Sequence, residues 1–150
     1  LPNEHERLDG LEVQRLAPIE LAVVLPPHRA ASGMPASIDE LAQWPWVTTP
    51  VDCGLRLQLE TLFRSAGREL PAGPMADTEG AVRGMVASGL GAGLMRLDQA
   101  EDAARLGQGI VWPGWRGHTW LCWVGPDVDP GIPAVAAVKE AVVRAWAPPE

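Results

Sequence analysis

Ile19–Leu25 (IELAVVL) is an apolar run that ends at Pro26-Pro27. A strand of this kind has almost no polar face to offer water. It must lie inside a sheet that other elements cover on both sides. That requirement points to a layered α/β domain, and the rest of the chain alternates strand and helix signals accordingly.

Ser37-Ile38-Asp39-Glu40 matches a capping box, which predicts a short helix through Gln43. Trp46–Thr49 reads as a short strand closed by Pro50. Leu55, Leu59, Leu62, Phe63 and Ala66 recur at helical spacing, and Gly67 stops that helix. After a short strand at Pro74–Ala76 comes the stretch ADTEGAVRGMVASGLGAGLM (76–95). Asp77 or Thr78 can cap a helix there, and Glu79 adds favourable charge to its first turn. Ala81, Val82, Met85 and Val86 share one face, and Gly89 is placed to end the helix. Gly91, Ala92 and Gly93 leave little side chain where the next strand, Leu90–Met95, begins, so a backbone or a small ligand can come close. Asp98–Leu106 is a predicted helix ended by Gly107. Ile110–Trp112 and Thr119–Val124 are predicted strands around a Pro/Gly-rich turn at 113–117. Pro133 opens a last helix with Val135, Val138, Val142, Ala145 and Trp146 on one face.

At 150 residues the chain suits one domain or two small lobes sharing a hinge. A net charge of −7, with the basic residues scattered, disfavours nonspecific attachment to nucleic acid. No segment has the length of an apolar membrane span, and residues 1–10 are too polar for a signal peptide. Two cysteines, Cys53 and Cys122, make a disulfide framework unlikely and a reducing cytoplasm the default. Neither they nor His5, His28 and His118 have zinc-type spacing, so no metal and no cofactor are expected.

The order of these motifs resembles the effector-binding domain of LysR-type transcriptional regulators. The resemblance is carried by LAVVLPPHRAA, by ASIDELAQWPWVTT, by a helix ending in AGR, by the 76–95 stretch and by a Trp-rich strand before the last helix, from about residue 11 to residue 146. It implies a periplasmic-binding-protein-like (type 2) fold: a Rossmann-like mixed sheet with helices on both faces, and two lobes holding a small molecule between them. Residues 24–120 would form the second effector-binding lobe. Residues 1–23 would be a remnant of the first lobe with a crossover strand, and 121–150 the return strand and C-terminal helix of that first lobe. No helix-turn-helix is present, so the sequence looks like an excised piece. DNA would be reached only through that element of a parent protein. The apolar face of the last helix would lack its partner sheet, which predicts a homo-oligomer or exchange of that helix between chains.

Two strand-to-helix junctions are the candidate site. Thr48, Thr49 and Pro50 end one strand, and Asp52, Cys53 and Gly54 lead into the next helix, where N–H groups and hydroxyls can grip a carboxylate or phosphate. By resemblance this strand end and the helix start at Asp77, Thr78 and Glu79 line the effector cleft. The plainer reading is that Thr49 and Asp52 only satisfy turns and caps. Asp52, Asp77 and Glu79 would stand near the cleft mouth against Arg56 and Arg83. If these acids cap helices or face solvent, an anionic effector fits; if they point into the cleft, an amine-bearing or neutral one fits better. Cys53 has a sharper alternative as a nucleophile, since a helix start stabilises a thiolate, but no base motif accompanies it. Trp112, Trp115, Trp120 and Trp123 can stack a planar ligand or simply pack between elements. The function expected is an effector-sensing domain without catalysis. A solute-binding fragment of a transport system, or a small enzyme using Cys53, are the alternatives.

Overall fold

The computed structural model describes residues 7–8, 10–126 and 132–146. The chain divides into two compact units, one of Glu20–Gly117 and one of Leu1–Ile19 with His118–Glu150. Its elements are β1 (Arg7–Leu8), β2 (Leu11–Leu25), α1 (Pro27–Ala31), α2 (Ile38–Leu41), α3 (Gly54–Ser65), α4 (Glu79–Ala87), β3 (Gly93–Arg96), α5 (Leu97–Arg105), β4 (Ile110–Pro126) and α6 (Pro133–Trp146).

In the unit of Glu20–Gly117 the apolar run behaves as its composition demands. Leu21 through Leu25 are all fully buried, so both faces of this end of β2 are covered. Ala22 and Val24, two residues apart and on one face, pack into a cluster with Val82 and Val86 of α4, Met95 of β3 and Ala100 of α5. β3 lies antiparallel to β2, with Leu21 opposite Arg96 and Val24 opposite Gly93. Around Trp46, the largest fully buried side chain, Phe63 stands edge-on at 5.1 Å between ring centroids.

Helix boundaries follow local chemistry. The Ser37 hydroxyl accepts from Glu40 N, while the Glu40 carboxylate accepts from Ala36 N at 2.8 Å, one residue before the position a capping box prescribes. α2 ends at Leu41, short of Gln43. Thr78, not Asp77, caps α4, accepting from Ala81 N. Gly67 (φ +67°) and Gly89 (φ +88°) adopt the left-handed conformation after α3 and α4, where Arg68 N and Leu90 N return to the carbonyls of Phe63 and Met85. α5 starts one residue earlier than expected, and His28 sits exposed in the short helix α1.

The strand expectations need correction. β2 starts at Leu11, eight residues before the apolar run, because its first half is only half-buried and carries no continuous apolar signal. The segments 46–49 and 74–76 make isolated bridges instead of full strands. The strand expected at Leu90–Met95 is confined to Gly93–Arg96. Finally, β4 runs unbroken where two strands and a turn were expected, so His118 lies within it. Its glycines are not turn formers. A Cβ on Gly114 would meet Trp112 Cζ2 at 2.2 Å, and one on Gly117 would meet Trp115 Cη2 at 2.2 Å. Each glycine stands two residues after a tryptophan, on the same face, and leaves room for the indole to lie along the strand. Trp112 is buried and donates from Nε1 to the Pro35 carbonyl at 2.8 Å, which makes it a packing residue rather than a ligand platform. Gly114→Ala should therefore push this ring off Pro35 and cost about 1–3 kcal/mol. Urea denaturation followed by tryptophan fluorescence checks this; an unchanged midpoint would show that the ring has other room.

In the other unit, β1 pairs antiparallel with the start of β2, Leu8 opposite Leu11. Arg15 lies over the Trp120 ring at 4.9 Å, and Lys139 of α6 pairs with Glu12. Val135 and Val142 of α6 are half-buried, whereas Val138 and Trp146, expected on the same apolar face, are about half exposed.

Candidate functional site

Trp46 bridges Ala92 and Thr48 bridges Met75, both in parallel. Val47 N donates to Ala92 O (2.8 Å), Ala92 N to Pro45 O (2.9 Å), Thr48 N to Pro74 O (2.9 Å) and Ala76 N to Thr48 O (2.9 Å). The segment 46–48 is thus held between 74–76 on one side and residue 92 on the other. Parallel neighbours leave a sheet at the same end. From that end the chain enters α3 after the turn closed by Cys53 N to Pro50 O (2.9 Å), α4 after Thr78, and α5 after β3. The two junctions singled out in the sequence, near 50 and near 78, therefore open side by side. Helix starts at the carboxyl ends of parallel segments are where α/β folds collect ligands.

Residues 2–147 match the model of the LysR substrate binding domain. The chain belongs to this family. No curated protein sequence gives a match. Among solved structures, the effector-binding domain of QuiR in complex with shikimate aligns with a TM-score of 0.75 at 17% identity, over 91% of this chain and 66% of that one. The CcmR regulatory domain of Synechocystis PCC6803, in complex with 2-PG, gives 0.73 at 12% over 95% and 71%. Full-length CbnR complexed with its target DNA gives 0.60 at 16% over 95% and 50%. This LysR substrate-binding chain thus spans about two thirds of such effector domains and half of a full-length regulator. The shared fold is the type 2 periplasmic-binding-protein-like one expected. No helix among the described residues is long and apolar enough to cross a membrane, and no group of three metal-ligating side chains occurs among them.

In this LysR domain the candidate residues divide by what already occupies them. Thr48 and Thr49 are buried, at 3% and 7% exposure, while Pro50 and Cys53 are partly covered and Asp52 and Gly54 are exposed. Asp77 is exposed as well. The Thr78 hydroxyl is engaged with its own helix. Glu79 reaches across to the start of α5, where its Oε1 accepts from Arg96 N at 2.7 Å and its Oε2 pairs with Arg96 Nε at 3.1 Å. Arg83, placed at the cleft mouth by the sequence reading, instead ties α4 to Asp102 of α5 (2.8 Å) and to Gln108 just beyond that helix (2.8 Å). Arg56 pairs with Glu60 at 2.7 Å and donates from Nη1 to the Thr49 carbonyl at 3.3 Å.

Cys53 is the N-cap of α3. Partial burial opposes ionisation of its thiol most strongly. Hydrogen bonds from the Thr49 hydroxyl and from the N–H groups of Leu55 and Arg56 together outweigh burial and the charge of Glu79, so its pKa lies below the ordinary thiol value. The first turn of α3 carries no acidic residue, whereas α4 has Glu79 and α5 has Asp98. The free N–H groups of a helix start are donors that would also suit a small anion. Sequence reasoning missed Arg96. It lies 17 residues after Glu79 at the end of β3, and no local pattern links the two.

Proposed function

We propose that this chain is the effector-sensing part of a LysR-type DNA-binding transcriptional regulator. In this reading residues 24–120 belong to the second effector-binding lobe, and 1–23 and 121–150 belong to the first. The ligand is a small molecule with a carboxylate or similar anionic group, received at the start of α3 by Thr48, Thr49, Pro50, Asp52, Cys53 and Gly54. Asp77, Thr78 and Glu79 form the neighbouring wall. The observation that carries this is the parallel bridge of Thr48 to Met75, which sets the two junctions beside each other. Its charge pattern supports an anion: Glu79 is turned to Arg96, Asp52 and Asp77 are exposed, and α3 has no acid in its first turn. The effector shifts a regulator only as far as it binds one arrangement better than another, so no catalytic step is needed. The parent protein would act in the cytoplasm as an oligomer and reach DNA through a helix-turn-helix.

Isothermal titration of the chain against a panel of small organic acids tests this. Thr49→Val removes a donor at constant shape, and should weaken binding of any acid that responds by about five- to thirtyfold, a change of ~1–2 kcal/mol. Equal affinity in the variant would remove Thr49 from the site. Silence across the panel would remove the anion.

A further inference from the structure

Glu79 has a geometry that neither a ligand contact nor a simple helix cap explains. α5 begins directly after Arg96, and Arg96 as its N-cap has no side-chain cap bond of its own. In a capping box the N–H of the N-cap residue is met by a carboxylate from the same helix, three residues on. Here that N–H donates to Glu79, the first residue of α4, at 2.7 Å. The other carboxylate oxygen takes the Arg96 guanidinium at 3.1 Å, and that guanidinium also lies 3.6 Å from Asp98. One side chain therefore joins two of the three helix starts. Glu79 is also mostly covered, with 26% of its side chain exposed, so its charge is less screened than that of Asp98 at 65%.

We propose that Glu79 is a positioning and specificity-determining residue. It fixes the start of α4 against the start of α5, and its charge limits the adjoining pocket at α3 to ligands with a single anionic group. This rests on the effector reading given above. At the three helix starts, Asp52, Asp77, Glu79 and Asp98 face a single guanidinium, that of Arg96, because Arg56 is already paired with Glu60. A first carboxylate has the Thr49 hydroxyl and the α3 N–H groups to receive it. A second, projecting toward α4, meets an acidic wall. The charge of Glu79 is felt as far as the Cys53 sulfur, where it disfavours the thiolate. Cys53 is therefore a built-in reporter of the same field.

The test uses Cys122→Ser as background, so that only Cys53 reacts with iodoacetamide, and compares it with the added changes Glu79→Gln and Glu79→Ala. Glu79→Gln keeps an acceptor for Arg96 N and removes the charge. It should melt close to the background, whereas Glu79→Ala should melt lower. The pH midpoint of Cys53 alkylation should fall in Glu79→Gln, giving faster labelling at pH 7. Titration with lactate and malate, which differ by one carboxylate, should show the malate-to-lactate affinity ratio rising about threefold to tenfold in the same variant. An unmoved alkylation profile, or an unmoved ratio in a chain that does bind, overturns the role of Glu79 alone. If the background binds neither these acids nor any other of the panel, the effector reading falls and takes this proposal with it.

Discussion

Gly91→Ala should lose about 3 kcal/mol of stability, and with it the register on which the candidate site depends. A Cβ built on Gly91 would lie 2.7 Å from Pro45 O, 2.8 Å from Pro45 C and 2.9 Å from Trp46 N. All three are main-chain atoms, so no rotamer change relieves the clash. The two bonds that anchor the segment, Ala92 N to Pro45 O and Val47 N to Ala92 O, sit at the same point. Separating the segments to admit a methyl breaks both and leaves the stretch that carries Thr48 and Thr49 held on one side only. Gly84→Ala is the control. It lies in the interior of α4 with nothing within 4 Å of its Cβ, and alanine there should stabilise by about 0.5–1 kcal/mol through helix propensity. Urea titrations of the two variants should move in opposite directions. Matching midpoints would mean that the contact between Gly91 and Trp46 is not tight.

The glycine pair at 91 and 93 illustrates how far the sequence could be read. Small residues at the strand start implied close approach, but composition could not say by what. In the structure the approach is internal. Gly91 admits the Pro45–Trp46 backbone, and Gly93 admits Val82 and Val86 of α4, 2.9 Å from where its Cβ would stand. Helix starts and stops were legible because caps act within five residues: Thr78 on Ala81, and Gly89 with the bond of Leu90 to Met85. The fully buried run was legible because five successive apolar side chains leave no alternative to double coverage. What escaped was long-range or two-residue geometry. The spacing of Trp112 to Gly114 and of Trp115 to Gly117 mimics turn composition while serving same-face packing in one strand. The junctions at 50 and 78 were predictable one at a time. Their adjacency was expected from the family resemblance alone, because it is a property of parallel pairing, which no local pattern encodes. Likewise, the destinations of Glu79 and Arg83 depend on α5 standing beside α4: both were expected at the cleft mouth, and they turn to Arg96 and Asp102.

Trp46→Ala should be the most damaging single truncation, at about 3–5 kcal/mol. Trp46 is 1% exposed and fully packed, its ring stands at 81° to that of Phe63, and its Nε1 donates to the Leu41 carbonyl at 3.1 Å. Truncation removes the ring contacts with α3 and one of the two bonds to the Leu41 carbonyl at the end of α2, which keeps only Trp44 N at 3.1 Å. It also loosens the segment whose backbone is clasped by Gly91 on one side and by Gly73, whose Cβ would meet Trp46 O at 2.3 Å, on the other. Trp46→Phe separates these contributions, because it keeps most of the apolar volume and deletes the N–H. The expected order is wild type, then Phe about 1–3 kcal/mol lower, then Ala. Since Trp46 and Thr48 belong to the same bridged segment, any response to an organic acid should weaken in the phenylalanine variant even under conditions where it is fully folded. A phenylalanine variant that is less stable yet binds with unchanged affinity would separate the core from the site. The bridge of Thr48 to Met75 would then have to hold the binding wall without help from the tryptophan beneath it.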